Sequence, residues 1–181
     1  MAVDRILLSV SPGETRIAEL SEEQLVGLYY DRAGQRSLVG DIIAGQVESI
    51  AHHLQAAFVD IGEERSGYLS LPDARPYEAK KGDSIGDYVI EGDAVLVQVT
   101  RDPEDNKGAK LTMKPVLTGR DLIYTPGRPE ISLSRRIKDK ADRDRLSKAL
   151  AGRDTSRGGL ILRTAAQEAE VEDLIREADR L

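Results

Sequence analysis

The sequence contains no cysteine and no tryptophan. Disulfide frameworks and cysteine-ligated zinc are thereby excluded, and the composition suits a reducing compartment. Histidine occurs only as the adjacent pair His52 and His53, which gives neither a nucleophile with its base nor a ligand set. No glycine-rich nucleotide loop, internal repeat or low-complexity tract is present. No stretch approaches the roughly 18 apolar residues of a membrane helix, and the N-terminal apolar run is too short for an export signal. These absences predict a soluble, cytoplasmic protein. An excess of positive charge is missing too: the net charge is -6, so a generally basic contact with nucleic acid is not indicated and any anion site must be local. The acidic clusters "DIGEE" and "RDPED" read as turns and solvated surface rather than a metal site. What remains is a chain of 181 residues, 40% hydrophobic, long enough to bury a core in one domain or two small ones.

Three rhythms follow one another. Over residues 1–36, "RILLSV", "TRIAEL" and "LVGLYY" are apolar-rich segments separated by the turn formers "SPGE" and "SEEQ", which predicts a β-meander. Three strands leave a face open to water, so this sheet is expected to pack on something else. Residues 37–118 carry five short strand candidates, "DIIAGQVESI", "LQAAFVDIG", "SGYLSL", "DAVLVQVTRD" and "AKLTM", punctuated by glycines. They suggest an OB-type barrel, with a small sandwich as the alternative. Residues 119–181 mix helices and strands. "KADRDRLSKALAG" places Ala141, Leu146, Ala149 and Leu150 near one face and ends at Gly152; "AAQEAEVEDLIREADRL" repeats the pattern with Val171, Leu174, Ile175, Ala178 and Leu181; "GGLILRT" between them reads as a buried strand. The fold class is therefore α+β, and "TSRGGL" reads as a loop rather than an RNA-binding segment.

Aromatics make up only 4% of the chain, with Phe58 the single phenylalanine, and their placement is informative. Alternation along "LQAAFVDI" puts Val59 and Ile61 on one strand face and Phe58 on the other; in "GYLSL" it sets Tyr68 opposite Leu69 and Leu71. Two rings thus occupy the polar faces of neighbouring strands. On an OB barrel such rings can stack on the bases of a single strand, while a covering loop or second domain is the competing explanation. Lys107 and Lys110 flank Gly108 just before the last barrel strand, where a cation could meet a phosphate, although a solvated hairpin turn would look the same.

A second candidate lies at "LILRTAAQEAE", where a strand runs into an amphipathic pattern with Arg163 and Thr164 at the join. A helix N-terminus with an arginine fork is suited to phosphate. Thr164 with Gln167 also fits a capping box, which needs no ligand. From Arg120 to Arg163 there are twelve basic residues against six acidic, a net of +6, which is a local field for a polyanion.

Together, "GDIIAGQVESI", "QAAFVDIGEERSGYLSL", "DNKGAKLT", "ISLSRRI" and "LILRTAA" resemble, in order, the N-terminal half of the ribonuclease E/G family. The resemblance implies an OB-type RNA-binding domain inserted into a split RNase H-like domain, whose first part would be residues 1–36, followed by a 5′ sensor over 119–181 that would be incomplete here. It implies single-stranded RNA as partner, preferably with a 5′ monophosphate, contacted by Phe58, Tyr68 and Lys107. Tyr68 stands where better-known members carry phenylalanine. Arg163 and Thr164 would bind the terminal phosphate, with the backbone at Gly119 and Ile123 supporting the 5′ nucleotide. The whole family enzyme is a magnesium-dependent endoribonuclease of RNA processing and decay, and it can form homo-oligomers; its catalytic aspartates find no match in this sequence, so the chain alone is expected to be inactive. A two-cysteine zinc motif of the family is also unmatched. A stand-alone OB-fold module that binds RNA or protein without nuclease activity is the alternative.

Overall fold

A computed structural model of the chain describes residues 3–32, 36–79, 83–104 and 106–181. Its internal contacts divide the chain into two compact units, residues 1–38 and 39–181.

The first unit is an antiparallel meander of β1 (Arg5–Ser11), β2 (Glu14–Ser21) and β3 (Gln24–Arg32). Pro12 and Gly13, with Gly13 at φ +85°, make the first turn; Glu22 and Glu23 make the second at φ 49° and 65°, an uncommon conformation for residues with a Cβ. Register puts Leu8, Ile17 and Tyr29 across one face, and Leu7, Ala18 and Leu28 across the other. Both faces carry apolar residues and both leave large side chains exposed, with Leu8 at 67% on one and Leu7 at 51% on the other. Glu14 bridges Arg16 and Arg32 and ties β2 to β3; hydrogen bonding to Arg32, then to Arg16, holds its carboxyl below the ordinary range.

The second unit begins with a closed five-stranded barrel: β4 (Ile42–Ala51), β5 (Ala56–Asp60), β6 (Gly67–Ser70), β7 (Ala94–Arg101) and β8 (Lys110–Thr112), joined in the order β4-β5-β6-β8-β7. The β6–β8 pair is parallel and the others antiparallel, as an OB-type barrel requires. Alternation supplies the core: Val47, Val59, Leu69, Val97, Val99 and Leu111 are buried. The crossover from β6 to β7 holds a four-residue helix α1 (Leu71–Ala74) and a 3-10 turn at Ile85–Asp87, closed by reciprocal Ser84 and Asp87 capping. Its Ala74, Ile85 and Val89 are buried as well.

Beyond the barrel, β9 (Leu117–Thr118), β10 (Leu122–Pro126), β11 (Ile131–Leu133) and β12 (Gly158–Leu162) form a sheet in the order β11-β12-β10-β9, with β11 parallel to β12. Helices α2 (Lys140–Ala149) and α3 (Val171–Arg180) pack on it through Leu146, Leu150 and Leu174 against Leu122, Leu160 and Leu162. Asp139 caps α2 by accepting from the Asp142 N–H at 2.9 Å, and Gly152 at φ +79° turns the chain after it. "GGL" opens β12, so its glycines belong to the sheet: a Cβ on Gly159 would overlap the Arg128 and Glu130 carbonyls.

One helix departs from the sequence pattern. The amphipathic run does not start at Thr164; a 3-10 turn covers Thr164–Gln167 and α3 begins only at Val171. Leu174 is buried and Ala178 and Leu181 pack on the core, while Ile175 is exposed, because a surface helix buries one stripe rather than every apolar residue in its window.

Candidate nucleic-acid interface

Phe58 and Tyr68 are direct cross-strand partners on β5 and β6. Their ring centroids lie 6.1 Å apart with planes at 66°, an edge-to-face pair. Both are half-buried, whereas Ala57, Val59 and Leu69 beside them are fully buried. The rings therefore sit on the outer face of the barrel, where they line a groove of about 780 Å³.

Lys107 enters this groove from a tight hairpin in which Glu104 and Lys107 exchange backbone hydrogen bonds of 3.2 and 2.8 Å. Lys110 opens β8 in register with Tyr68, but its Nζ lies 3.3 Å from Asp73. Lys107 carries no ion pair among the described residues, so of the two lysines it is the one free to meet an anion. Arg65 and Arg101 also line the groove, and no sequence pattern singles out either. Arg65 donates to the Asn106 carbonyl at 2.8 Å, tying the β5–β6 loop to the Lys107 hairpin. The lining thus joins two rings to four basic side chains, with the carboxylates of Glu64, Asp102 and Glu104 among them; rings beside cations suit a stacked single strand.

The second site is a hollow of about 360 Å³ lined by Ile123, Ser134, Arg136, Ile161, Arg163 and Thr164, among others. Topology assembles it. Parallel pairing sets Leu133 beside Leu162, so the residues that leave these strands, Ser134 and Arg163–Thr164, emerge together at one sheet end. Antiparallel pairing brings Ile123 of β10 opposite Ile161. Ser134 Oγ and Thr164 Oγ1 lie 3.3 Å apart, and two hydroxyls at that spacing can both donate to one anion. Arg163 Nη1 donates to the Gly119 and Arg120 carbonyls at 2.7 and 3.0 Å, leaving Nη2 and Nε of its fork. Arg136, just past β11, adds a second exposed guanidinium that nothing in the local sequence marks.

Two expectations change. Thr164 does not cap a helix: Arg163 holds the N-cap position, no side chain caps the turn, and Gln167 Nε2 donates instead to Asp142 at 2.9 Å. A helix dipole does not act here either, since α3 starts seven residues after Thr164 and such effects fade within a turn. Gly119 is placed beside Arg163, from which its carbonyl accepts, and Ile123 lines the hollow. The basic segment is also less free than its net charge suggests. Arg143 donates to the Ile137 carbonyl at 3.1 Å, and Arg145 to the Ala169 and Gln167 carbonyls at 3.0 and 2.7 Å. Arg128 and Arg153 pair with Glu130 and Asp179.

Among the described residues no three of histidine, cysteine, aspartate or glutamate come together in a group that could hold a metal ion. Among the described residues no helix is long and apolar enough to cross a membrane.

A closed five-stranded OB-type barrel followed by an α+β sheet with two helices defines the class of protein by its fold. Comparison with known proteins narrows the class. The Ribonuclease E/G family profile matches residues 116–181. Ribonuclease G of Salmonella typhimurium is 36% identical over 182 residues, covering 96% of this chain and 37% of its own length. Ribonuclease G of Escherichia coli is 36% identical over 178 residues, covering 92% of this chain and 36% of its own. Ribonuclease E of a Nostoc species is 38% identical over 164 residues, covering 87% and 23%. Over the part of these relatives that it spans, the chain belongs to the ribonuclease E/G family. It spans little more than a third of the ribonuclease G proteins that it matches.

Proposed function

We propose that this chain is the RNA-holding and 5′-end-sensing portion of a ribonuclease E/G-type endoribonuclease that acts in cytoplasmic RNA processing and decay. Single-stranded RNA lies along the barrel groove, with a base stacked on Phe58 and Tyr68 and a phosphate met by Lys107. Its 5′ monophosphate enters the hollow, where Arg163 supplies Nη2 and Nε, Thr164 and Ser134 supply hydroxyls, and Arg136 adds charge; Ile123 supports the 5′ nucleotide beside them. The observation that carries this reading is the convergence of Arg163, Arg136 and the Ser134–Thr164 hydroxyl pair in one hollow. A terminal monophosphate brings nearly two negative charges and several acceptor oxygens, and charge-assisted donors of this kind favour it over a neutral hydroxyl end.

Strand cutting is assigned to a magnesium centre of the whole family enzyme, and oligomerisation likewise to the whole enzyme; this chain grips the substrate. The test compares two oligoribonucleotides of one sequence, 5′-monophosphorylated and 5′-hydroxyl, for binding to the purified chain. Tighter binding of the phosphorylated strand is expected, without cleavage in magnesium. Equal affinity for the two ends would overturn the sensor, and metal-dependent cutting by this chain would overturn the division of labour.

A further inference from the structure

The turn between β9 and β10 is held from two directions. On one side Arg163 grips it: Nη1 takes the Gly119 and Arg120 carbonyls, and the Arg163 N–H donates to the Asp121 carbonyl at 2.8 Å. On the other side Glu177 of α3 accepts from the Asp121 N–H with both carboxylate oxygens, each at 3.1 Å. The carboxylate lies so close over Gly119 that a Cβ there would overlap Glu177 Oε1. A side chain at 119 would therefore push the Glu177 carboxylate aside. The turn has no freedom of its own, since the Gly119 N–H also closes on the Leu122 carbonyl at 2.8 Å. Its carbonyls engage Nη1 of the Arg163 guanidinium and leave Nη2 and Nε outside the strap, while Arg163 lines the hollow.

We propose that Glu177 is a positioning residue for the phosphate hollow: it fixes the Gly119–Asp121 strap from behind, and the strap fixes the rotation of the Arg163 guanidinium. Glu177 itself does not line the hollow, so it acts only through Arg163. A fork aimed before the ligand arrives loses less freedom on binding. The proposal rests on the sensor reading above, deepens it, and explains why an acidic side chain stands behind a site meant for an anion: its charge is directed at a backbone N–H and away from the ligand.

The test follows two readouts in the full chain. The first is the affinity ratio for 5′-monophosphorylated over 5′-hydroxyl oligonucleotide. Glu177→Ala should lower that ratio by about fivefold or more, within the coupling seen between residues of one hydrogen-bond network, and leave affinity for the 5′-hydroxyl strand unchanged. Glu177→Gln, which keeps an acceptor for the Asp121 N–H, should retain most of the preference. Gly119→Ala should lower the ratio as Glu177→Ala does, and the double variant should be no worse than either alone, because the Cβ then fills the space the carboxylate has left. The second readout is the Arg163 side-chain NMR signal. A guanidinium held by two carbonyls gives slowly exchanging Nη hydrogens, which should be present in the unaltered chain and in Glu177→Gln and lost in Glu177→Ala. If the Arg163 signal and the affinity ratio both survive Glu177→Ala, the proposal is overturned. An unaltered chain that does not distinguish the two ends would remove the sensor reading, and the Arg163 signal would still decide whether Glu177 positions the arginine.

Discussion

The barrel groove and the hollow, the two proposed polyanion sites, are built in opposite ways. In the groove the two rings come from adjacent antiparallel strands only a short turn apart, and each ring takes its place from simple alternation of its own strand. In the hollow Ile123, Ser134, Arg136, Arg163 and Thr164 come from three strand ends separated by most of the α+β segment, and the parallel pairing of β11 with β12 is what gathers them. A site made by local periodicity tolerates loss of one ring as loss of one contact. A site made by long-range register depends on the backbone around it.

Arg163→Ala tests that contrast most severely. It should remove about 1.5–3 kcal/mol of preference for a 5′ monophosphate, the range for hydrogen bonds to charged groups, with little change for a 5′-hydroxyl strand. A titration with both oligonucleotides checks it, and a preference that survives would refute the role. Phe58→Ala should weaken both strands equally, by about 1–3 kcal/mol, because stacking is blind to the 5′ end. If it instead unfolds the chain in a thermal melt, the ring is core and the groove does not bind by stacking.

The same contrast explains why one site is more legible in the sequence than the other. Phe58 and Tyr68 follow from alternation in strands that are also OB strands, and the burial of Val59 and Leu69 is the other half of that pattern. Leu146 and Leu150 likewise follow from helical spacing. Arg136 cannot be found this way: it lies in "SRRI" among several arginines, and only the β11–β12 register selects it. The start of α3 is hidden for a different reason. "TAAQEAE" has helix-forming composition, while Arg145 and Asp142 of α2 bind Gln167 and the Ala169 carbonyl and hold that stretch as a 3-10 turn. Tertiary hydrogen bonds override local propensity there.

Smaller effects refine the comparison. Thr164→Ala should cost under about 0.5 kcal/mol of stability, as a residue that caps nothing. It should reduce 5′-phosphate preference by about 0.5–1.5 kcal/mol, the worth of one neutral hydrogen bond. A stability loss near 1 kcal/mol in denaturant titration, with unchanged preference, would restore the capping explanation. The smallest effect concerns the meander. Glu14 has a depressed carboxyl pKa in the folded sheet, from Arg32 first and Arg16 second. Its contribution is therefore present above the carboxylate's unfolded pKa and lost as pH falls through the lower folded value. Replacing it with glutamine should flatten the acid-side decline of the meander, measurable by amide exchange in β2 and β3; an unchanged decline would exclude the linkage.

The order of strands around the barrel also sets a timetable. β5 and β6 are neighbours in both sequence and space, so the aromatic pair can form as a hairpin soon after residue 70 is synthesised. β8, which brings Lys110 and follows directly on the Lys107 hairpin, must insert between β6 and β7 after both exist. Such non-local pairings come late because the loop must be closed first. A nascent chain that has not yet reached Thr112 therefore pairs the two rings, with Arg65 in the loop between them, before β8 sets the Lys107 hairpin and Lys110 beside them, and the proposed groove is complete only when the barrel shuts.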